Sequence, residues 1–162
     1  MIICMTLPPI YDNKLKVIII GTEPGQLSLE TGHYYSDPRN SFYRDLHLTG
    51  FLPRLIHPSE CLSLPNYNIG LDDVYDDPEA LEIRLESFKP LSVCFNSKEA
   101  LCRFLKISNT QRLKNWAGES AGKWVSFSWE PIVWALYDSS GIAIRFHEER
   151  IVLLLRLYKK LF

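Results

Sequence analysis

The chain has 162 residues, of which 46% are hydrophobic and 12% aromatic, and its formal net charge is −1. That length suits one domain with a substantial core rather than two, and the composition excludes a disordered chain. A charge this close to zero gives no global field to draw the protein onto nucleic acid or an anionic membrane, so any such contact must come from a local patch.

Lys16-Val-Ile-Ile-Ile-Gly21 reads as a buried strand, because β-branched residues run without alternation and stop at glycine. Ser41 to Leu48 reads as a short helix ending at Gly50. A weaker strand pattern lies near Tyr67 to Leu71. Asp77-Pro78 starts a helix, with Asp as cap and Pro at the first helical position, and Leu81, Leu85 and Phe88 form its apolar face before Pro90. Leu91 to Phe95 is a second buried strand; Ser97 caps a helix with Leu101, Phe104 and Leu105 in one stripe. No element is assigned over residues 107–130. Ile132 to Tyr137 is a third buried strand, and His147 to Phe162 is an amphipathic helix. Strands alternating with helices predict an α/β fold: a single domain whose parallel sheet of about four strands carries helices on both faces.

Cys4, Cys61, Cys94 and Cys102 form no C-x-x-C pair and no metal-like spacing with the histidines. Cys94 sits in an apolar strand and Cys102 in a helical pattern, so buried free thiols and a reducing cytoplasm or nucleus are expected. Met1 to Met5 lacks the basic and apolar regions of a signal peptide, and no run reaches the roughly 20 apolar residues of a membrane helix. Neither Walker-type nor Gly-x-Gly-x-x-Gly loops occur, which weakens a generic nucleotide-binding reading.

The three strands end in Glu23, Asn96 and Asp138-Ser139-Ser140-Gly141, and carboxyl ends of parallel strands share one sheet edge. A carboxylate, an amide and a small-residue loop beside His33, Tyr34 and Tyr35 suit a planar heterocycle, with aromatics on its faces and an amide at its edge. Each residue also has a plainer role. Asn40 fits a cap for the short helix and Asn96 a cap partner. Tyr34 and Tyr35 fit loop packing, Asp72 and Asp73 solvated loop acids, and Ile142 packing under the terminal helix.

Taken in order, Gly21-Thr-Glu-Pro-Gly25, Gly32 to Tyr43, Tyr67 to Val74, Phe88 to Lys98 and Asp138 to Ile142 resemble the uracil-DNA glycosylase superfamily. The resemblance is to its mismatch-specific uracil/thymine branch, whose first motif is Gly-x-Asn-Pro-Gly and whose second is Asn-Pro-Ser-Gly-Leu. It implies a DNA glycosylase of base-excision repair that works without metal or cofactor, flips a damaged or mismatched base (uracil, thymine or hypoxanthine), hydrolyses its N-glycosidic bond, and acts as a monomer. By that resemblance Glu23 holds or activates water, with Asp73 a second water-activating candidate. Tyr35 stacks on the base, Asn96 and Asn40 bind it, and Ser139, Ser140, Gly141 and Ile142 enter the duplex with Ile142 as wedge. Two departures stand out. Glu23 in place of Asn either deprotonates water or repels an anionic leaving base, the latter giving a binder of nucleic acid or nucleobase that does not cut. Asp138-Ser139 in place of Asn-Pro adds an acid and is expected to loosen the second loop. A basic footprint is sought in Arg103, Lys106, Arg112, Lys114 and Lys123, interleaved with Trp116; Arg156, Lys159 and Lys160 read as the terminal helix's solvent face.

Overall fold

A computed structural model describes residues 5–108 and 113–162. The expectations for Cys4, for the start of the chain and for Arg112 therefore lie outside the described residues. Four strands, β1 (Val17–Gly21), β2 (Ile69–Asp73), β3 (Ser92–Phe95) and β4 (Ile132–Ala135), form one sheet in the order β2-β1-β3-β4, and every pairing is parallel. The α-helices are α1 (Gln26–Thr31), α2 (Phe42–Leu48), α3 (Pro78–Phe88), α4 (Lys98–Phe104) and α5 (His147–Leu161).

The unbroken apolar run of β1 is explained by cover on both sides. Val17 and Ile19 face a core built with Phe42 and Leu46 of α2 and Leu154, Leu157 and Leu161 of α5. Ile18 and Ile20 face a second core with Leu81 and Leu85 of α3 and Ala100 and Leu101 of α4. Each fully buried aliphatic side chain contributes about 1.5–3 kcal/mol to holding helix against sheet. The single-domain α/β architecture with a four-stranded parallel sheet and helices on both faces is therefore as the sequence predicts.

The helix starts also follow the sequence. Asp77 Oδ1 accepts from the Ala80 N–H at 3.0 Å, Pro78 follows, and Ser97 Oγ accepts from the Ala100 N–H at 3.0 Å. The β2 boundary differs: Tyr67 ends a 3-10 helix (Pro58–Tyr67), Asn68 turns at φ 65°, and the strand runs on through Asp73. Asp72 and Asp73 are thus buried strand residues, not solvated loop acids, because β2 pairs with β1 as far as Gly21 opposite Asp73. Cys61, Cys94 and Cys102 are buried free thiols. Among the described residues no helix is long and apolar enough to cross a membrane.

Candidate active site

β1 lies between β2 and β3, and the chain leaves β1 toward β2 but leaves β3 toward β4. Diverging connections open a crevice above the carboxyl ends of such a strand pair, the usual ligand position in open α/β sheets. A cavity of about 260 Å³ occupies it, bounded by the Gly21–Gly25 loop, Tyr34, Tyr35, Asn40, Asp73, Asn96 and Asp138. His33, a candidate by position alone, does not border it.

Gly21 is where the cavity needs a glycine. A Cβ there would run into the Asp73 carboxylate and lie 3.1 Å from the Tyr35 hydroxyl. Asp73 is 3% exposed, and among the described residues its Oδ2 has no hydrogen-bond partner. Burial, reinforced by the charges of Asp72 and Glu23, pushes its carboxyl up to about 7. Asp72 is anchored differently: Arg84 Nε and the Tyr11 hydroxyl each donate to Oδ2 at 2.7 Å, and Arg84 Nη2 donates to Oδ1 at 3.1 Å.

Glu23 is exposed, and its Oε1 accepts from Arg103 Nη2 at 3.1 Å; the same nitrogen donates to Glu99 at 3.0 Å. Its carboxylate therefore reaches the cavity from the rim with a guanidinium beside it. Tyr35 sits in the left-handed region at φ 55°, stacked on Phe42 with ring centroids 3.9 Å apart. Burial and the nearby Asp73 charge hold its phenol well above the ordinary range. One face of that ring packs against Phe42, and its hydroxyl accepts from Asn96 Nδ2 at 3.2 Å. Tyr34 is buried and donates to the Pro8 carbonyl at 3.2 Å, so it serves packing as well as lining the cavity. Asn40 also does both jobs: it borders the cavity while Oδ1 accepts from the Phe42 N–H at 3.0 Å, capping α2.

Asn96 lies on the cavity floor with its amide committed to protein partners. Nδ2 donates to Tyr35 and, at 3.1 Å, to Ser139 Oγ; Oδ1 accepts from Arg150 Nη1 at 2.7 Å. Reading a base edge would require it to surrender one of these. Arg150, 1% exposed, also donates from Nε to Asp45 Oδ2 and from Nη1 to the Tyr137 carbonyl, each at 2.7 Å. His147 Nε2 meets Asp45 Oδ1 at 2.7 Å, and Ser41 Oγ donates to Oδ2 at 2.7 Å. This buried relay joins α2, α5 and the ends of β3 and β4. Sequence reading missed it; the available signal was Arg150 at a position framed by the apolar stripe of α5, where a charge must be paired to be buried.

The second loop is anchored rather than loosened. Ser139 is buried, its carbonyl accepts from the Ser41 N–H at 2.9 Å, and Asp138 Oδ1 accepts from the Ser140 N–H at 3.0 Å. Asp138 thereby closes the turn that Asn-Pro would otherwise rigidify. Gly141 passes 3.1 Å (measured from an added Cβ) from the Arg39 side chain, so the two loops abut. Beyond it, Ile142 is 96% exposed, which rules out packing under α5. Ile142 is instead the second residue of a 3-10 helix (Gly141–Phe146). Of the basic footprint, Arg103 is paired with Glu23 and Glu99, and Lys106 with Glu79. Lys114 and Lys123 are exposed, as are Arg156, Lys159 and Lys160.

A parallel sheet with a switch-point cavity, carboxylates among its lining and an apolar tip beside it defines an open α/β protein with a polar crevice at the carboxyl ends of its strands. The chain belongs to the uracil DNA glycosylase superfamily, whose family model matches residues 8–161. A similar fold is seen in the solution NMR structure of a protein from Methanosarcina acetivorans provisionally described as a uracil DNA glycosylase. The TM-score is 0.59 at 20% identity, covering 94% of this chain and 96% of that one.

Proposed function

We propose that this protein is a DNA glycosylase that draws a damaged or mismatched base into the cavity and hydrolyses its N-glycosidic bond. One observation carries the reading: the carboxylates of Glu23 and Asp73 and the stacked ring of Tyr35 meet in a cavity of nucleobase size at the sheet's switch point. Cleavage builds positive charge on the sugar and negative charge on a neutral base as it departs, so a placed water and a shaped field matter more than a strong nucleophile. Glu23 at the rim accepts the proton of the attacking water. Arg103 beside it offsets repulsion between that carboxylate and the departing base. Tyr35 offers the face on which the base rests, and Ile142 fills the stack that the base leaves.

The finer reading places the protein in the mismatch-specific uracil/thymine branch, acting as a monomer in the cytoplasm or nucleus. Support comes from the motif order Gly21–Gly25, Gly32–Tyr43 and Asp138–Ile142. The test is strand nicking after alkali on duplexes carrying uracil, a thymine mismatch or hypoxanthine. Nicking of at least one, lost in Glu23→Gln, supports the reading. A second reading, binding without cutting, is favoured by the Glu23–Arg103 pair, which ties the water-activating carboxylate to a cation. Retained binding with no nicking of any of the three duplexes, or of one carrying an alkylated purine, would decide for it.

A further inference from the structure

Five carboxylates border the cavity, those of Glu23, Asp37, Asp73, Glu99 and Asp138, and among the described residues no Lys, Arg or His lines it. The cations nearby answer only part of that charge. Arg103 serves Glu23 and Glu99 together, and Arg39 pairs with Asp37 at 2.7 Å. Asp138 turns back onto Ser140. Among the described residues Asp73 has no cation of its own: Arg84 is engaged by the Asp72 carboxylate and reaches only the Asp73 carbonyl, at 3.4 Å. The unpartnered Oδ2 of Asp73 is a second, separate sign, since a buried oxygen left without a donor marks a place where one is to be supplied.

We propose that the cavity selects a base that already carries a positive charge, a purine alkylated on a ring nitrogen and extruded from DNA, with Asp73 and Tyr35 as its recognition pair. This rests on the glycosylase reading above and names its preferred substrate class. The chemistry of the leaving group explains the charge pattern. The C1′–N bond breaks with its electron pair going to the base nitrogen, the water oxygen bonds to C1′, and the water proton passes to Glu23. A neutral base leaves this step as an anion, which is disfavoured beside Asp73 and Asp138, the two lining carboxylates without a paired cation among the described residues. An alkylated purine enters at +1 and leaves neutral, so no cation is needed to stabilise it.

Tyr35 supports the same class, because a cationic ring gains more from an aromatic face than a neutral one does. Asp73 then holds the base while Glu23 handles water, which separates two carboxylates that the sequence leaves in one role. The buried Asp73 carboxyl, held near neutrality among Asp72, Glu23, Tyr34, Tyr35 and Arg84, ionises more readily when a cation arrives.

The test uses the full chain in two assays. In the first, adenosine and 1-methyladenosine, which is mainly cationic at neutral pH, are titrated separately by calorimetry at pH 7. A preference of about 10-fold or more for the cation is expected, falling to near parity in Asp73→Asn while adenosine affinity holds. Equal affinity of the native chain for the two nucleosides overturns the proposal, and so does a preference that survives in an Asp73→Asn variant that still folds. In the second assay, duplexes with 7-methylguanine or uracil are compared in single-turnover cleavage, and the alkylated duplex is expected to be cut at least about 10-fold faster. Faster cutting of uracil overturns the proposal and leaves the glycosylase reading standing. Cutting of neither, nor of the thymine-mismatch and hypoxanthine duplexes, overturns the glycosylase reading, while the nucleoside titration still decides charge selection.

Discussion

Arg150→Met removes the centre of the buried relay. In the native protein Arg150 and Asp45 are each 1% exposed, their closest atoms 2.7 Å apart, and Arg150 also satisfies Asn96 Oδ1 and the Tyr137 carbonyl. Met keeps most of the aliphatic volume, so the loss is electrostatic rather than a cavity. Breaking one side of a buried ion pair costs about 3–5 kcal/mol, because the remaining charge is left without its partner. His147 and Ser41 still bind Asp45, which places the expected loss near the lower end of that range. For a chain of this length 1 kcal/mol corresponds to roughly 2–4 °C, so the melting temperature falls by about 6–12 °C. Urea unfolding measures the loss directly, with an unchanged slope confirming the same two states. Asp45→Asn combined with Arg150→Met removes both charges and should recover about 1–3 kcal/mol relative to the sum of the single losses. A single Arg150→Met variant within about 1 kcal/mol of native, with no coupling to Asp45, would refute the relay as a stabilising element.

Glu23→Gln removes the rim carboxylate and should lower single-turnover cleavage by about 10²-fold, while duplex binding holds or tightens as repulsion from phosphate is reduced. Unchanged single-turnover rates would move water activation elsewhere. Asp73→Asn should change how stability depends on pH. Because the folded carboxyl is raised to about 7, Asp73 favours folding most below its ordinary carboxylate value and loses that contribution as pH climbs through about 7. The Asn variant should therefore gain on the native protein between about pH 4 and 8, by roughly a few kcal/mol, and parallel stability–pH curves would refute it. Ile142→Ala should leave the melting temperature unchanged, since the side chain is 96% exposed, yet slow cleavage of well-paired duplexes more than mismatched or single-stranded ones. Equal loss on all three substrates would remove the wedge.

The strands were legible because burial on both faces writes itself as an unbroken β-branched run: Val17 to Ile20 needs no context to be read. β2 was harder, since Gly70, Asp72 and Asp73 give Ile69–Asp73 no such run; only pairing with β1 makes it a strand. Helix α1 was missed because six residues carry no apolar period long enough to register, and its Gly25 start makes no side-chain cap. The 3-10 segments share that difficulty. Capped helices were visible in their entirety, as Asp77-Pro78 and Ser97 show.

In the site, sequence order brought the right residues to one edge but was silent on how their polar atoms are used. Asn96, Asn40, Glu23 and Asp73 all border the same cavity, yet they differ in freedom. The amide of Asn96 is held at both ends and Asn40 caps a helix. Glu23 is paired with Arg103 through Oε1, and Asp73 Oδ2 is a buried oxygen with no partner among the described residues. Those distinctions arise from Arg150 and Arg103, which reach the cavity's residues from α5 and α4 across sequence separations that no local pattern records. The two family departures become intelligible in the same terms. The carboxylate at position 23 arrives with its own guanidinium, and Asp138, in place of an Asn, closes its turn onto Ser140. Each added acid is thus partly answered locally, whereas the Asp73 carboxyl has no paired cation among the described residues.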